Sequence, residues 1–510
     1  MDTDIQRCFR SKTVFLTGAT GFLGKVVIEK LLRTTEVKRI YVLIRPKRGV
    51  EIQERIITWS KDAVFELLLK SKPEALQRVW PIAGDCLDSD LGISEKDRKL
   101  LASEVQIVIH GAATVRFNEP LHVALAINTR ATRLMVQLAR EMRQLESFVH
   151  VSTAFSNCII YDIKESFYPE HLNCSSDKVL AMTELMSEEL LDNMESALLG
   201  SYPNTYTYTK ALAEDVILKE AGGLPLCIFR PAVIIAAHKE PISGWIDNMY
   251  GPMAILFGVA RGVLRIATID PTAEASLVPV DYCANMTLAC AWRTTEDGSG
   301  KISSESPTIY QLAPSDENRL THGEFIQHAL DGRFNCPLTK MIWYPFLHCI
   351  TTQWLYPLVA FFYHTLPAHF FDLALWLSGR KPRLVKVYQK IHKTLGILGP
   401  FACKSWHFDT RNTDQLRQIM SVEDRRMYYF DMVSLNWKEY FLHALRGMRQ
   451  FLGNEPPTPE SIAQGMKLIK RLKLLHHILQ FFLCCVAAFV VLSWSSLYCK
   501  LDIYKTLKTL

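Results

Sequence analysis

Three glycines at fixed spacing, where an apolar strand runs into a helix, constrain this chain more than any other feature. Residues 13–18, TVFLTG, lead into Thr17-Gly18-Ala19-Thr20-Gly21-Phe22-Leu23-Gly24, and a helix pattern follows through Leu32. Glycine lets the backbone turn sharply and come close to a pyrophosphate. The helix N-terminus then offers unpaired N–H groups and partial positive charge to that anion. A bare G-x-x-G-x-x-G also occurs in structural turns, but the strand–turn–helix context decides here. Gly18, Thr20, Gly21, Phe22, Leu23 and Gly24 therefore read as a dinucleotide-binding turn.

Further strands are expected at Arg39–Ile44, near Val79–Ala83, at Val105–His110 and at Ser147–Val151, with a helix around Asn128–Met142. This alternation predicts an α/β fold, a Rossmann-like doubly wound parallel sheet. Cofactor choice in such a sheet is read about twenty residues past the glycines, where NAD binders carry a carboxylate for the ribose hydroxyls. Here Ile44-Arg45-Pro46-Lys47-Arg48 supplies cations instead. Arg45, with Lys47 or Arg48, would pair a 2′-phosphate, so NADPH is expected. Asp85 is placed at the adenine, with a turn role as the alternative. Ala112, Pro231 and Val233 follow strand ends and should line the cofactor cleft.

The reaction centre is expected at Thr153, Tyr206 and Lys210. Ser152-Thr153 ends the strand SFVHVS, and Tyr206-Thr207-Tyr208-Thr209-Lys210 enters a helix. Tyr206 and Lys210 are one turn apart and can face one cleft. A free phenol has a pKa of about 10. A nearby ammonium, with an oxidised nicotinamide, would lower it. Tyr206 would then supply a proton as hydride reaches a carbonyl that Thr153 holds. Ser152 competes for the carbonyl, and Tyr208 has no lysine four residues on. No metal set accompanies these residues, and none is required.

The rest of the chain bounds the setting. The net charge of +6 suggests anionic ligands or membrane surfaces. No basic, aromatic-interleaved run indicates nucleic acid. Thirteen scattered cysteines without CxxC suggest reduced thiols. Residues 157–200 read as an acidic insertion, and 236–335 as a substrate-capping lobe. The sequence divides into a reductase domain with its lobe at 11–335, a mainly helical domain at 338–455, a linker and basic flank at 456–477, and an anchor at 478–498. The anchor is 21 uncharged residues, enough to span a hydrocarbon core of about 30 Å. Lys467, Lys470, Arg471 and Lys473 precede it, which puts the body in the cytosol. The proline-broken apolar region Met341–Leu377 reads as an acyl-binding or membrane-surface element, not a span. Its aromatic stretch Trp343–Trp376 is a candidate tunnel wall, with ordinary core or a membrane foot as equal alternatives.

TGATGFLG, YTYTK, RPAVI and EPISGWIDNMYGP (Glu240–Pro252) together resemble the alcohol-forming fatty acyl-CoA reductases of the extended short-chain dehydrogenase superfamily. Sugar-nucleotide relatives share the glycine turn and YxxxK but not the last run. The resemblance covers about residues 11–455. It implies NADPH, a long-chain acyl-CoA substrate, a fatty alcohol product, and Thr153, Tyr206 and Lys210 as the matching catalytic positions. Lys239, Arg261, Arg265, Arg380, Lys381 and Arg383 are candidate partners for CoA phosphates. The expected site is a membrane surface of the endoplasmic reticulum, peroxisome or lipid droplet, and a homodimer is left open. The competing readings are a sugar-nucleotide or sterol dehydrogenase and a non-catalytic NADP-binding membrane scaffold.

Overall fold

The computed structural model describes residues 2–46, 49, 51–299, 306–352 and 354–508, except the side chains of 299 and 497–508. Seven strands, β1 (Thr13–Thr17), β2 (Arg39–Ile44), β3 (Val79–Ala83), β4 (Ile107–His110), β5 (Ser147–Val151), β6 (Leu226–Pro231) and β7 (Thr308–Leu312), form one sheet. Their order is β7-β6-β5-β4-β1-β2-β3, and every pairing is parallel. The order reverses between β1 and β4, and that switch point opens a crevice at the strand C-termini. A parallel sheet is covered on both faces, so its strands are continuously apolar. All five residues of β1 are buried.

Alternate residues of each strand serve opposite layers. Val14 and Leu16 join the core that holds helix α1 (Phe22–Thr34), whereas Phe15 joins the core of α2 (Ala131–Glu141) and α3 (Thr205–Glu220). A further helix, α4 (Val280–Ser299), packs beside α1. The α1-side core runs unbroken from Ile5 to Leu472 and takes in Trp406, Phe408, Tyr440 and Phe441. The C-terminal helical region therefore shares the reductase core. A parallel strand pair, Asp162–Ile163 with His407–Phe408, joins them too.

The C-terminal region contains α5 (Leu366–Leu377), α6 (Leu384–Ala402), α7 (Trp437–Gly447) and α8 (Pro459–Lys508). Among the described residues, two stretches are long and apolar enough to cross a membrane, Tyr356–Leu377 and Pro459–Ser496. The expected linker at 456–477 is instead helical from Pro459. Its first turns pack on the body, with Ile469 and Leu472 buried. The cause is Arg449, fully buried, whose guanidinium gathers the carbonyl of Pro337 (2.8 Å) and the Ser461 hydroxyl (2.7 Å). That cluster fixes where α8 starts.

Candidate active site

The glycine turn closes β1 and opens α1. Gly18 has φ +79°, and a Cβ there would lie 2.7 Å from the Gly111 carbonyl carbon. Only glycine fits, because the backbones leaving β1 and β4 nearly touch. Gly24 likewise has no room for a Cβ against Gly18. Thr20 and Gly21 are exposed at the mouth, while Phe22 and Leu23 turn towards the core. Gly21 caps α1 with no side-chain hydrogen bond, so the first-turn amides keep their donors for an anion. Beside the turn, the Thr17 hydroxyl accepts from the Ala112 N–H (3.1 Å) and bonds His110 Nδ1 (2.7 Å). Burial, reinforced by the Lys210 charge, pushes His110 down to about 3, so it is neutral. The run Glu240–Pro252 lies over α1. Trp245 stacks on Phe22 at 5.2 Å, Asp247 pairs Lys25 at 3.0 Å, and Glu240 pairs Lys30 and Arg33. Gly244 and Gly447 pack backbone to backbone, with no room for a side chain on either.

At the far end, Arg45 and Asp85 meet each other. Arg45 Nε lies 2.6 Å and Nη2 3.0 Å from the two Asp85 oxygens. Arg45 remains 57% exposed, at the ends of β2 and β3. Lys47 and Arg48 lie outside the described residues. Pro231 ends β6, and partly buried Val233 starts a short parallel pair with Leu277–Pro279.

Thr153 and Tyr206 are neighbours, and Lys210 follows one turn along α3. Thr153 caps a short helical turn, its oxygen accepting from the Phe155 N–H at 3.2 Å. Its hydroxyl is the polar neighbour of the Tyr206 phenol. Burial raises Tyr206 to about 12, with Thr153 pulling the other way. Lys210 is buried and donates to the Val151 carbonyl at 2.8 Å. Burial lowers it to about 8, opposed by Glu214 and Cys86. Without a cofactor, then, the phenol holds its proton at neutral pH, and the lysine titrates only slightly above it.

Neighbouring candidates are otherwise engaged. Ser152 donates to Glu214 (2.5 Å), which holds fully buried Arg230 in a two-point pair (2.9 and 2.6 Å). Arg230 also donates to the carbonyls of Lys164 and Ser166, tying the insertion to the sheet. Tyr208 is buried on the other side, edge-on to Tyr202. Arg265 is no CoA partner. It is buried and donates to the Gly262 and Tyr363 carbonyls, because the chain folds the 361–365 turn over it.

The structure also places residues that sequence reasoning missed. Asn128 donates to Thr209 Oγ1 (2.9 Å) and exchanges two hydrogen bonds with the Thr114 backbone. It thereby positions α3 between Tyr206 and Lys210. It sits in a π-helical turn, Leu125–Arg130, a bulge that no local pattern announces. The aromatic wall at the phenol is not the Trp343–Trp376 stretch. Phe117 stacks on Tyr206 at 5.6 Å, Phe401 packs on Phe117 at 5.2 Å, and Phe155 and Trp406 complete the cluster. Trp354, Phe362, Phe370 and Trp376 point outward instead.

Comparison with known proteins completes the picture. A NAD-binding family model described as male sterility protein matches residues 16–287, and the Sterile model of the same description matches 363–455. The match supports a nicotinamide cofactor. "Fatty acyl-CoA reductase wat" of Drosophila melanogaster is 39% identical, covering 99% of this chain and 94% of that protein. "Fatty acyl-CoA reductase 2" of Bos taurus is 35% identical over 92% and 90%. Among solved structures, the terminal R domain of the myxalamid PKS-NRPS pathway has TM-score 0.59 at 19% identity, covering 88% of this chain and 93% of its own. The reductase domain of a Mycobacterium tuberculosis nonribosomal peptide synthetase has TM-score 0.56 at 18% identity, covering 89% and 96%. These two likenesses establish the fold. With full-length identity at this level and both family models in register, the chain belongs to the fatty acyl-CoA reductase family.

Proposed function

We propose that this protein reduces long-chain fatty acyl-CoA to fatty alcohol with NADPH, releasing CoA, while anchored in a membrane by α8 with its body in the cytosol. The observation that carries the reading is the Thr153–Tyr206 hydroxyl pair, with buried Lys210, at the C-terminal end of β5 beside the glycine turn. The reductase domain is 11–335 with its lobe, followed by the helical domain 338–455 and the apolar part of α8, 478–498. The host membrane is that of the endoplasmic reticulum, peroxisome or lipid droplet.

The uncapped amides of the first turn of α1 fit a pyrophosphate, and Arg45 is a cation placed for a 2′-phosphate once it turns from Asp85. The reduced nicotinamide supplies hydride when bound. The chain's own residues do the rest. Thr153 and Tyr206 are neighbouring hydroxyls, and both would donate to a thioester oxygen as it gathers negative charge. Donors fixed in a water-poor site stabilise that charge without reorganising. Collapse of the tetrahedral adduct expels CoA thiolate and leaves an aldehyde on the same donors. After the second reduction Tyr206 passes its proton to the alkoxide. A phenol held near 12 is protonated throughout the neutral range, as a proton donor must be. Lys210, as ammonium, stabilises the phenolate left behind.

The test incubates the full chain in lipid–detergent micelles with NADPH and palmitoyl-CoA, and identifies products by mass spectrometry. Hexadecanol and free CoA are expected, with two NADPH consumed per alcohol. Absence of both alcohol and aldehyde across a range of chain lengths rejects the activity. Equal use of NADH rejects the role given to Arg45.

A further inference from the structure

We infer that the segment Trp354–Leu377 is a second membrane contact, lying in the surface of an anionic bilayer beside the anchor helix rather than crossing it. The inference goes beyond the reductase reading and does not depend on turnover.

The outward face is large and aromatic. Trp354 is 79%, Phe362 57% and Trp376 64% exposed, with Phe370, Phe371 and Leu377 alongside. Contiguous apolar surface of this kind marks an interaction site. The inward face is pinned. His364 is buried, accepts from the Arg265 N–H at 3.1 Å and bonds His392 at 3.2 Å. Asp372 is buried and accepts from the backbone N–H groups of Arg383, Leu384 and Val385, which caps α6. A span of 22 residues would be long enough at about 1.5 Å each. Threading it through a bilayer would tear out both polar anchors. An amphipathic element lying flat keeps them and buries only the outer face.

Charge and position name the occupant. Between Met341 and Cys403 the only carboxylate is Asp372, whereas Arg380, Lys381, Arg383, Lys386, Lys390 and Lys393 follow the apolar helix. All six are exposed, and none forms an ion pair among the described residues. A basic rim beside an aromatic face suits acidic headgroups over acyl chains. The anchor leaves the body at the same place. His476 of α8 bonds the Trp343 indole (3.2 Å) and stacks on Phe346 (4.8 Å), which packs on Tyr363 of this segment. Helix α6 then runs from the segment to Phe401, in the aromatic stack on Tyr206. Helix α6 thus links the basic rim to the aromatic stack that reaches the phenol through Phe117.

The experiment reconstitutes the full chain in phosphatidylcholine–phosphatidylserine vesicles that carry bromine either near the headgroups or near the acyl chain ends. Subtracting the fluorescence of W354F/W376F from that of the native chain isolates the two indoles, and W494F isolates the anchor. Quenching of the Trp354/Trp376 signal, stronger with shallow bromine and weaker when phosphatidylserine is omitted, is expected. Stronger quenching by deep bromine would mean a transmembrane span and overturn the inference. An unquenched pair beside a quenched Trp494 would mean water or a second copy covers the face, and would overturn it with the anchor intact. Loss of quenching at Trp494 as well would remove the anchor reading too.

Discussion

Strand β1 and the segment Trp354–Leu377 are both apolar, and they meet opposite fates. Every residue of β1 is buried, closed on both faces by helices and on both edges by β2 and β4. The later segment buries Ala360, His364, Ala368 and Asp372 and leaves its largest side chains exposed. In the first, apolar residues make the core and polar atoms are few. In the second, the polar residues do the internal work and the apolar ones face out. Composition therefore states that a surface avoids water, but not which surface covers it. That choice depends on where the polar groups are satisfied.

The largest effect should come from the buried pole of this contrast. Tyr206→Phe removes a proton donor and leaves the ring packed on Phe117. Turnover should fall by about 10²–10⁴, while NADPH binding, followed by fluorescence titration, stays unchanged. Full activity in the variant would break the reading of α3 as the catalytic helix. Next comes Arg230→Met, which leaves Glu214, on the same helix, without its ion-pair partner. Losing one partner of a buried pair costs about 3–5 kcal/mol, read as a lowered denaturation midpoint of the full chain in detergent. A midpoint unchanged from wild type would show that water reaches Glu214.

A smaller effect sharpens the electrostatics. Lys210 is pulled down to about 8 by burial, so its ammonium is present below that pH and is lost above it. If the ammonium supports the phenolate, kcat/KM should be flat below about 8 and fall about tenfold per pH unit above it. Tyr206, near 12, contributes no limb in that range. Lys210→Arg keeps the charge and should lose the limb, whatever its plateau. A limb that survives in this variant would assign the titration elsewhere.

What could be read from the sequence follows the same divide. The glycine turn, β2, β3 and β5 are legible because each depends on neighbours in sequence: a glycine forced by a close backbone, or an apolar run bounded by turns. Thr153 and Lys210 are nominated by spacing against such landmarks. Asn128 and Phe401 are not, because they reach α3 and Tyr206 from far along the chain and no local period marks them. Arg45 and Asp85 are each legible as cleft residues, but their mutual pairing is a property of two strand ends brought side by side by the sheet. The start of α8 was obscured for the same reason. EPPTPE looks like a linker until Arg449, six residues before Glu455, joins the Glu455 carbonyl to that of Pro337, far up the chain.

The smallest effect divides two phenylalanines. Phe441 in α7 is fully buried among Phe325, Trp437 and Tyr440, whereas Phe371 in α5 lies on the outward face. Phe441→Ala opens a cavity and should cost about 3–5 kcal/mol. Phe371→Ala removes a ring that touches little inside the protein and should stay within about 0.5 kcal/mol, both measured by denaturation in detergent. Detergent substitutes for lipid in both the folded and unfolded chain, so the exposed ring should gain no stabilising role by folding. If Phe371→Ala costs as much as Phe441→Ala, the face is being covered by protein as part of folding, and the contrast between core and membrane-facing apolar surface collapses.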